Sequence, residues 1–148
     1  MYFGLVSLFV SAFIHIMVMG LIIFAAAPII FHASIPSNLP LYFLALALFI
    51  TVSLSIACIL GLAVKSQAKL TMYSQIIFLP SIMLSGIMFP AEFLPKILEN
   101  IGKLFPATWG YILLSQNNRS SSAVIPLFII LFTAVILNSI LLKKIRSS

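Results

Sequence analysis

Residues 5–30 form a predominantly apolar run with no Asp, Glu, Lys or Arg. At about 1.5 Å per helical residue, such a run exceeds the roughly 30 Å thickness of a bilayer's hydrocarbon core. Three more apolar runs follow, at about 41–64, 70–89 and 123–142, the third interrupted by Pro80. A chain of 148 residues with four such stretches has too little polar sequence left to cover them in water. Hydrophobic residues make up 63% and charged residues 7%, against about 25% charged in an ordinary soluble domain. The expected fold is therefore all-α and polytopic: one membrane domain over 1–148, with four transmembrane helices and a short helix before the last of them. A soluble enzyme, a disulfide scaffold and a disordered tail are excluded. Ala25-Ala26-Ala27 resembles a signal-peptide cleavage site, but no positive charge precedes the run, so the first helix is expected to be retained.

The breaks between runs set the orientation. His32 to Pro40 contains two prolines and an Asn and reads as an uncharged turn. Lys65 and Lys69 bracket the second break, and Lys143, Lys144 and Arg146 follow the last run. Short loops rich in Lys and Arg stay in the cytoplasm, which puts both termini there. The net charge of +6 comes from these run ends, not from a basic patch interleaved with aromatics, so nucleic acid is not an expected partner. The bilayer is. The single cysteine, Cys58, permits no intrachain disulfide and reads as a small apolar packing residue.

Between the third and fourth runs, Leu94, Ile97, Leu98, Ile101, Leu104 and Phe105 recur at helical spacing. Glu92, Lys96, Glu99 and Lys103 fill the opposite face as two i,i+4 pairs. Pro95 suits the helix's first turn and Pro106 its stop. Residues 90–108 thus form a short amphipathic element. It either lies on the outer leaflet or dips into the membrane against protein and returns. Trp109 and Tyr111 suit an interfacial aromatic belt, and Asn118-Arg119-Ser120 fits a glycosylation sequon.

Catalytic patterns are missing. Gly102-Lys103 lacks the other residues of a phosphate-binding loop, and neither H-E-x-x-H nor G-x-S-x-G occurs. Glu92 and Glu99 read as helix surface charges, so the chain is not expected to be an enzyme. No charged residue lies inside a run, which disfavours proton-coupled secondary transport. His15 lacks an acidic partner and is expected to face the helix bundle with a hydrogen bond. His32, at an outer edge, reads as interfacial, and two histidines without a third ligand make no metal site. The small-residue stripes Ser7/Ser11, Ser53/Ala57/Gly61 and Ser81/Ser85 are expected to pack within the chain, with contact to another subunit as the alternative. Asn138 needs a hydrogen-bond partner.

The series Gly61-Leu-Ala-Val-Lys-Ser-Gln-Ala68, Leu84-Ser85-Gly86-Ile87-Met88-Phe89-Pro90, Leu94-Pro95 and Pro106-Ala107-Thr108 resembles the C-terminal half of type-2 ABC exporter permeases. The resemblance covers about residues 41–146, and the first run more weakly. It implies the third to sixth spans of a six-span permease in a bacterial plasma membrane. Residues 90–108 would be its outward re-entrant element. Two permease units, or two complementary halves, would pair with two ABC ATPase subunits. ATP and Mg would be bound by the ATPase, and this chain would hold no cofactor. Residues 85–108 would form the outer gate, with Ser81 and Ser85 on the substrate path and Glu92 and Lys96 as charges at its mouth. Gly86 would belong to the same path or gate, Pro90 and Pro95 would set the bend, and Pro106 and Thr108 would belong to the Pro-x-Thr-like turn. Lys65, Gln67 and Lys69 would touch the ATPase. The family's main ATPase-docking helix precedes its third span, so the resemblance implies a truncated or split permease. A small non-transport scaffold, immunity or regulatory protein is the alternative.

Overall fold

The computed structural model describes residues 2–32, 38–90, 93–115 and 123–147. All regular structure among them is helical: α1 (Tyr2–Phe31), α2 (Leu39–Ala63), α3 (Gln67–Leu84), α4 (Lys96–Gly102), α5 (Pro106–Leu114) and α6 (Val124–Ser147). Phe3–Phe31, Leu39–Ala63 and Val124–Ile145 are each long and apolar enough to cross a membrane. α3 is shorter and less apolar, because Gln67, Lys69, Thr71 and Gln75 occupy its first half.

The helices begin and end where local chemistry requires. Pro40 sits in the first turn of α2, where its missing N–H costs nothing. Val64 turns extended at the other end, and its N–H donates to the Leu60 carbonyl. α3 stops five residues before the end of the expected apolar run. Ser85 there donates from Oγ to the Ile82 carbonyl at 2.8 Å and accepts the Ile87 N–H at 3.3 Å. Gly86 follows with φ +90°, a conformation that glycine adopts without steric penalty. The residues of Phe89-Pro90 therefore leave the helix. α6 instead runs beyond 142 through the basic tail.

α2 is the hub, packing against α1, α3, α5 and α6. Ala45, Ile50, Val52 and Ser55 of α2 are buried, as are Leu127 and Ala134 of α6. Most large apolar side chains instead point outward, including Ile22 and Ile23 of α1 and Phe128 and Phe132 of α6. Such a surface requires a lipid or protein cover. Lipid tails are as apolar as these side chains, so cohesion between helices depends on close contact and hydrogen bonds. One such bond links α6 to α2, where Asn138 Nδ2 donates to the Ser55 carbonyl at 2.9 Å. Hydroxyls within the apolar helices turn back on their own backbone: Thr51 donates to Ala47, Ser55 to Thr51 and Ser139 to Val135.

Two expectations are corrected. Ser7 and Ser11 of α1 and Ala57 and Gly61 of α2 are exposed, and a Cβ at Gly61 would meet nothing within 4 Å. The helix register turns these stripes outward. Close approaches occur instead at Gly20, beside Leu46, and at the glycines of the α3–α5 corner. His15 is also exposed, on the outer face that it shares with Ser7 and Ser11.

Candidate functional site

The expected gate residues gather at the junction of α3, α4 and α5. The single amphipathic element expected over 90–108 holds a shorter helix, since α4 spans only Lys96–Gly102. Pro95 lies one residue before it. Pro106 does not stop the helix but opens the next one, its fixed φ suiting the first turn of α5. Two helices thus meet at the corner 103–105 as an open hairpin, with α4 packed on α3 and α5 on α2, α3 and α6.

Three contacts lock this hairpin. Thr108, which is buried, donates from Oγ1 to the Gly102 carbonyl at 2.6 Å. Trp109 Nε1 donates to the Lys103 carbonyl at 2.7 Å. Both bonds satisfy carbonyls at the C-terminal end of α4, which have no partner further along a helix. Gly102 lies so near α3 that an added Cβ would stand 2.6 Å from the Leu84 carbonyl oxygen. Thr108→Val removes the first bond and leaves the Phe105 N–H on the same carbonyl. It is expected to cost about 1 kcal/mol, read as a lower thermal midpoint in detergent.

The hairpin reaches along α2. Gly110 rests on the ring of Phe49, and Tyr111 on Gly86. Phe49 is ten residues beyond Leu39, the first residue of α2. That spacing places Gly110 about 15 Å along the α2 axis.

Ser81, Ser85, Gly86 and Thr108 are buried around this junction, and the Ser85 hydroxyl is engaged in ending α3. Pro106 is half-buried, and Pro90, Pro95 and Lys96 are exposed. Glu92 and the sequon at 118–120 lie outside the described residues. Lys65, Gln67 and Lys69 are exposed around the α2–α3 break, far along α2 from the hairpin. The contacts of Gly102 and Gly110 were missed in the sequence, since neither glycine belongs to a small-residue stripe.

Glu99 and Lys103 form the expected pair, 2.8 Å apart on the exposed side of α4. The hydrogen bond from Lys103 and its positive charge hold the Glu99 carboxyl below the usual range. A lowered folded pKa means that the pair favours the folded state above the unfolded carboxylate's pKa and stops doing so as pH falls through the folded value. Lys103→Gln is expected to raise the Glu99 midpoint towards the ordinary value of about 4.3, read by NMR titration. No group of three His, Cys, Asp or Glu side chains that could hold a metal occurs among the described residues.

A second feature lies at the other end of α2. A cavity of about 370 Å³ separates α1 from α2 and α6, lined by Phe9, Cys58, Leu62, Leu131 and Asn138 among others.

The family model described as ABC-2 type transporter matches residues 2–118. No curated protein and no solved structure matches the chain.

Proposed function

The chain belongs to the ABC-2 type transporter family, and from that premise we propose that it is a permease subunit of an ATP-driven exporter. In this reading α1, α2, α3 and α6 are four spans. The basic ends at Lys65, Lys69 and Lys143 lie in the cytoplasm, as do both termini. A separate ABC ATPase binds ATP and Mg, and Lys65, Gln67 and Lys69 form a minor contact with it. The chain performs no chemistry on its substrate; it forms part of the path.

The α4–α5 hairpin is the outer gate, re-entering the membrane. The observation that carries this is the packing of Gly110 on Phe49, about 15 Å along α2 from its outer end. A helix lying flat on the leaflet would meet α2 only near Leu39. Inside the membrane, backbone that is neither in a span nor in water must be covered by protein. Burial of Thr108 and Gly110, and the bonds that satisfy the end of α4, meet that requirement. Gly86 and the prolines at 90 and 95 turn the chain into the hairpin, and Ser85 holds the turn. Ser81 is the remaining path candidate on α3. Lys96 and Glu92 are the mouth charges. The exposed Ser7/Ser11 and Ala57/Gly61 stripes suit a second permease copy or complementary half, because small residues let helices approach closely in lipid.

The test is affinity purification of the tagged chain from its native membrane in mild detergent, followed by mass spectrometry. The expected result is a Walker-motif ATPase in near-equal amount. A well-folded, abundant chain with another partner, and no effect on efflux, would overturn the exporter reading in favour of a scaffold. Cysteine scanning in a Cys58→Ser background tests the gate separately. Exposed thiols are expected at position 96, and a protected one at 108. Free labelling throughout 90–108 would refute re-entry.

A further inference from the structure

We propose that the cavity between α1, α2 and α6 is a binding site for an anionic membrane lipid, with an acyl chain inside it and the phosphate on Lys65 and Lys143. The inference rests on the reading that α2 and α6 cross the membrane with their basic ends on one side.

The cavity follows from uneven packing of α1. At one end of the helix, the Phe24 ring lies 5.2 Å from the rings of both Tyr42 and Phe43. One helical turn away, Gly20 lets α1 close on Leu46. Towards the start of α1 the contact gives way to the cavity, which Leu5 and Phe9 line from one side. Leu62 of α2 and Leu131 and Leu142 of α6 line it from the other. Its volume of about 370 Å³ lies within the ordinary range for small-molecule sites, about 300–1,000 Å³. The pocket opens to the lipid-facing surface and its lining is mostly apolar, which suits a flexible hydrocarbon chain lying partly within it.

Charge specifies the other half of the ligand. Neither lysine lines the cavity, but Lys143 directly follows Leu142 and Lys65 lies three residues beyond Leu62, so both exposed lysines belong to the chain just past the end that these leucines line. The sequence has only two carboxylate side chains, Glu92 and Glu99. Glu99 is engaged with Lys103 on α4, and Glu92 belongs to the segment between α3 and α4. Lys144 already has a partner and is not needed. An apolar cavity between membrane helices, ending in lysines on the cytoplasmic side, matches an anionic lipid rather than a zwitterionic one.

Native mass spectrometry of the purified full chain would compare phosphatidylglycerol with phosphatidylcholine of the same acyl chains. Retention of phosphatidylglycerol is expected, falling about five-fold for each of Lys65→Gln and Lys143→Gln. Leu131→Phe with Val135→Phe fills the cavity without changing the charge and should lose the lipid as well. Equal retention of both lipids, or undiminished selectivity in the lysine variants, would overturn the site. Selectivity that survives cavity filling would show headgroup contact alone and refute an acyl-chain site. Displacement by glycerol phosphate as readily as by the intact lipid would reassign the lysines to a soluble phosphate. Loss of a co-purifying acidic protein from the lysine variants, with lipid unchanged, would reassign them to that protein. The readout requires neither transport nor a defined sidedness, so these failures leave the exporter reading standing. A chain that leaves the membrane without detergent would refute the membrane premise itself.

Discussion

Gly102→Ala is expected to separate α4 from the end of α3 and to lower the stability of the whole hairpin corner. The added Cβ would stand 2.6 Å from the Leu84 carbonyl oxygen and 3.2 Å from the Leu84 Cβ. Neither atom is the end of a flexible side chain, so relief requires a shift of backbone. The same residue supplies the carbonyl that accepts the Thr108 hydroxyl and the Phe105 N–H. Displacement of Gly102 therefore loosens the start of α5 as well. Overpacking of this kind costs about 1–3 kcal/mol, and the backbone obstacle places this substitution at the upper end. Trp109, the only tryptophan, is bonded to Lys103 at this corner and reports its opening by fluorescence. Gly61→Ala is the control: its Cβ meets nothing, and Ala is favoured over Gly in a helix by about 0.5–1 kcal/mol. If the two variants melted alike in detergent, the close approach of α4 to α3 would be wrong.

Gly110→Leu is expected to expel α5 from its seat on α2. An added Cβ already falls against the Phe49 ring, with Cε2 at 2.7 Å and Cγ at 3.0 Å. The rest of a leucine side chain has no room on that face. The obstacle here is a side chain, so Phe49→Ala should restore much of the loss by opening the space. A double-mutant cycle should give a coupling of about 0.5–3 kcal/mol between the two positions. On the exporter reading proposed above, the single variant should abolish efflux while leaving ATPase co-purification intact, because the proposed contact residues Lys65, Gln67 and Lys69 follow the far end of α2. Simple additivity of the two substitutions would mean that α5 does not rest on Phe49.

Much of the architecture was legible in one dimension. The apolar runs at 5–30, 41–64 and 123–142 lie within α1, α2 and α6 to within a residue or two at their outer limits. Length and hydropathy suffice there because every backbone group in lipid must be bonded within its own helix. The third run misled by five residues. Apolarity continues to Phe89, but the helix ends with Ser85 and Gly86, where a hydroxyl bond and a positive φ override hydropathy. Pro106 read as a stop because proline breaks a helix already under way, yet it is equally suited to begin one. The Glu99–Lys103 pair was visible because its spacing is local.

The outward turn of the Ser7/Ser11 and Ala57/Gly61 stripes was not legible. A stripe reveals that one face is smooth; it does not identify what lies opposite. His15 illustrates the same limit, since polarity alone did not determine which way its helix face turned. The partner of Asn138 is 83 residues away in sequence, a distance that no local pattern spans.

By itself, then, the sequence determined a helical membrane protein, the placement of its three long apolar helices, the basic ends and the family series from Ser85 to Thr108. Those properties depend on residue type and near spacing. The tertiary structure decided which glycines are close contacts, how the α4–α5 hairpin reaches Phe49, and where α1 separates from α2 and α6 to leave a cavity. Each depends on the rotation and separation of whole helices, which lipid does little to dictate, because an apolar face is nearly as well solvated by acyl chains as by another helix.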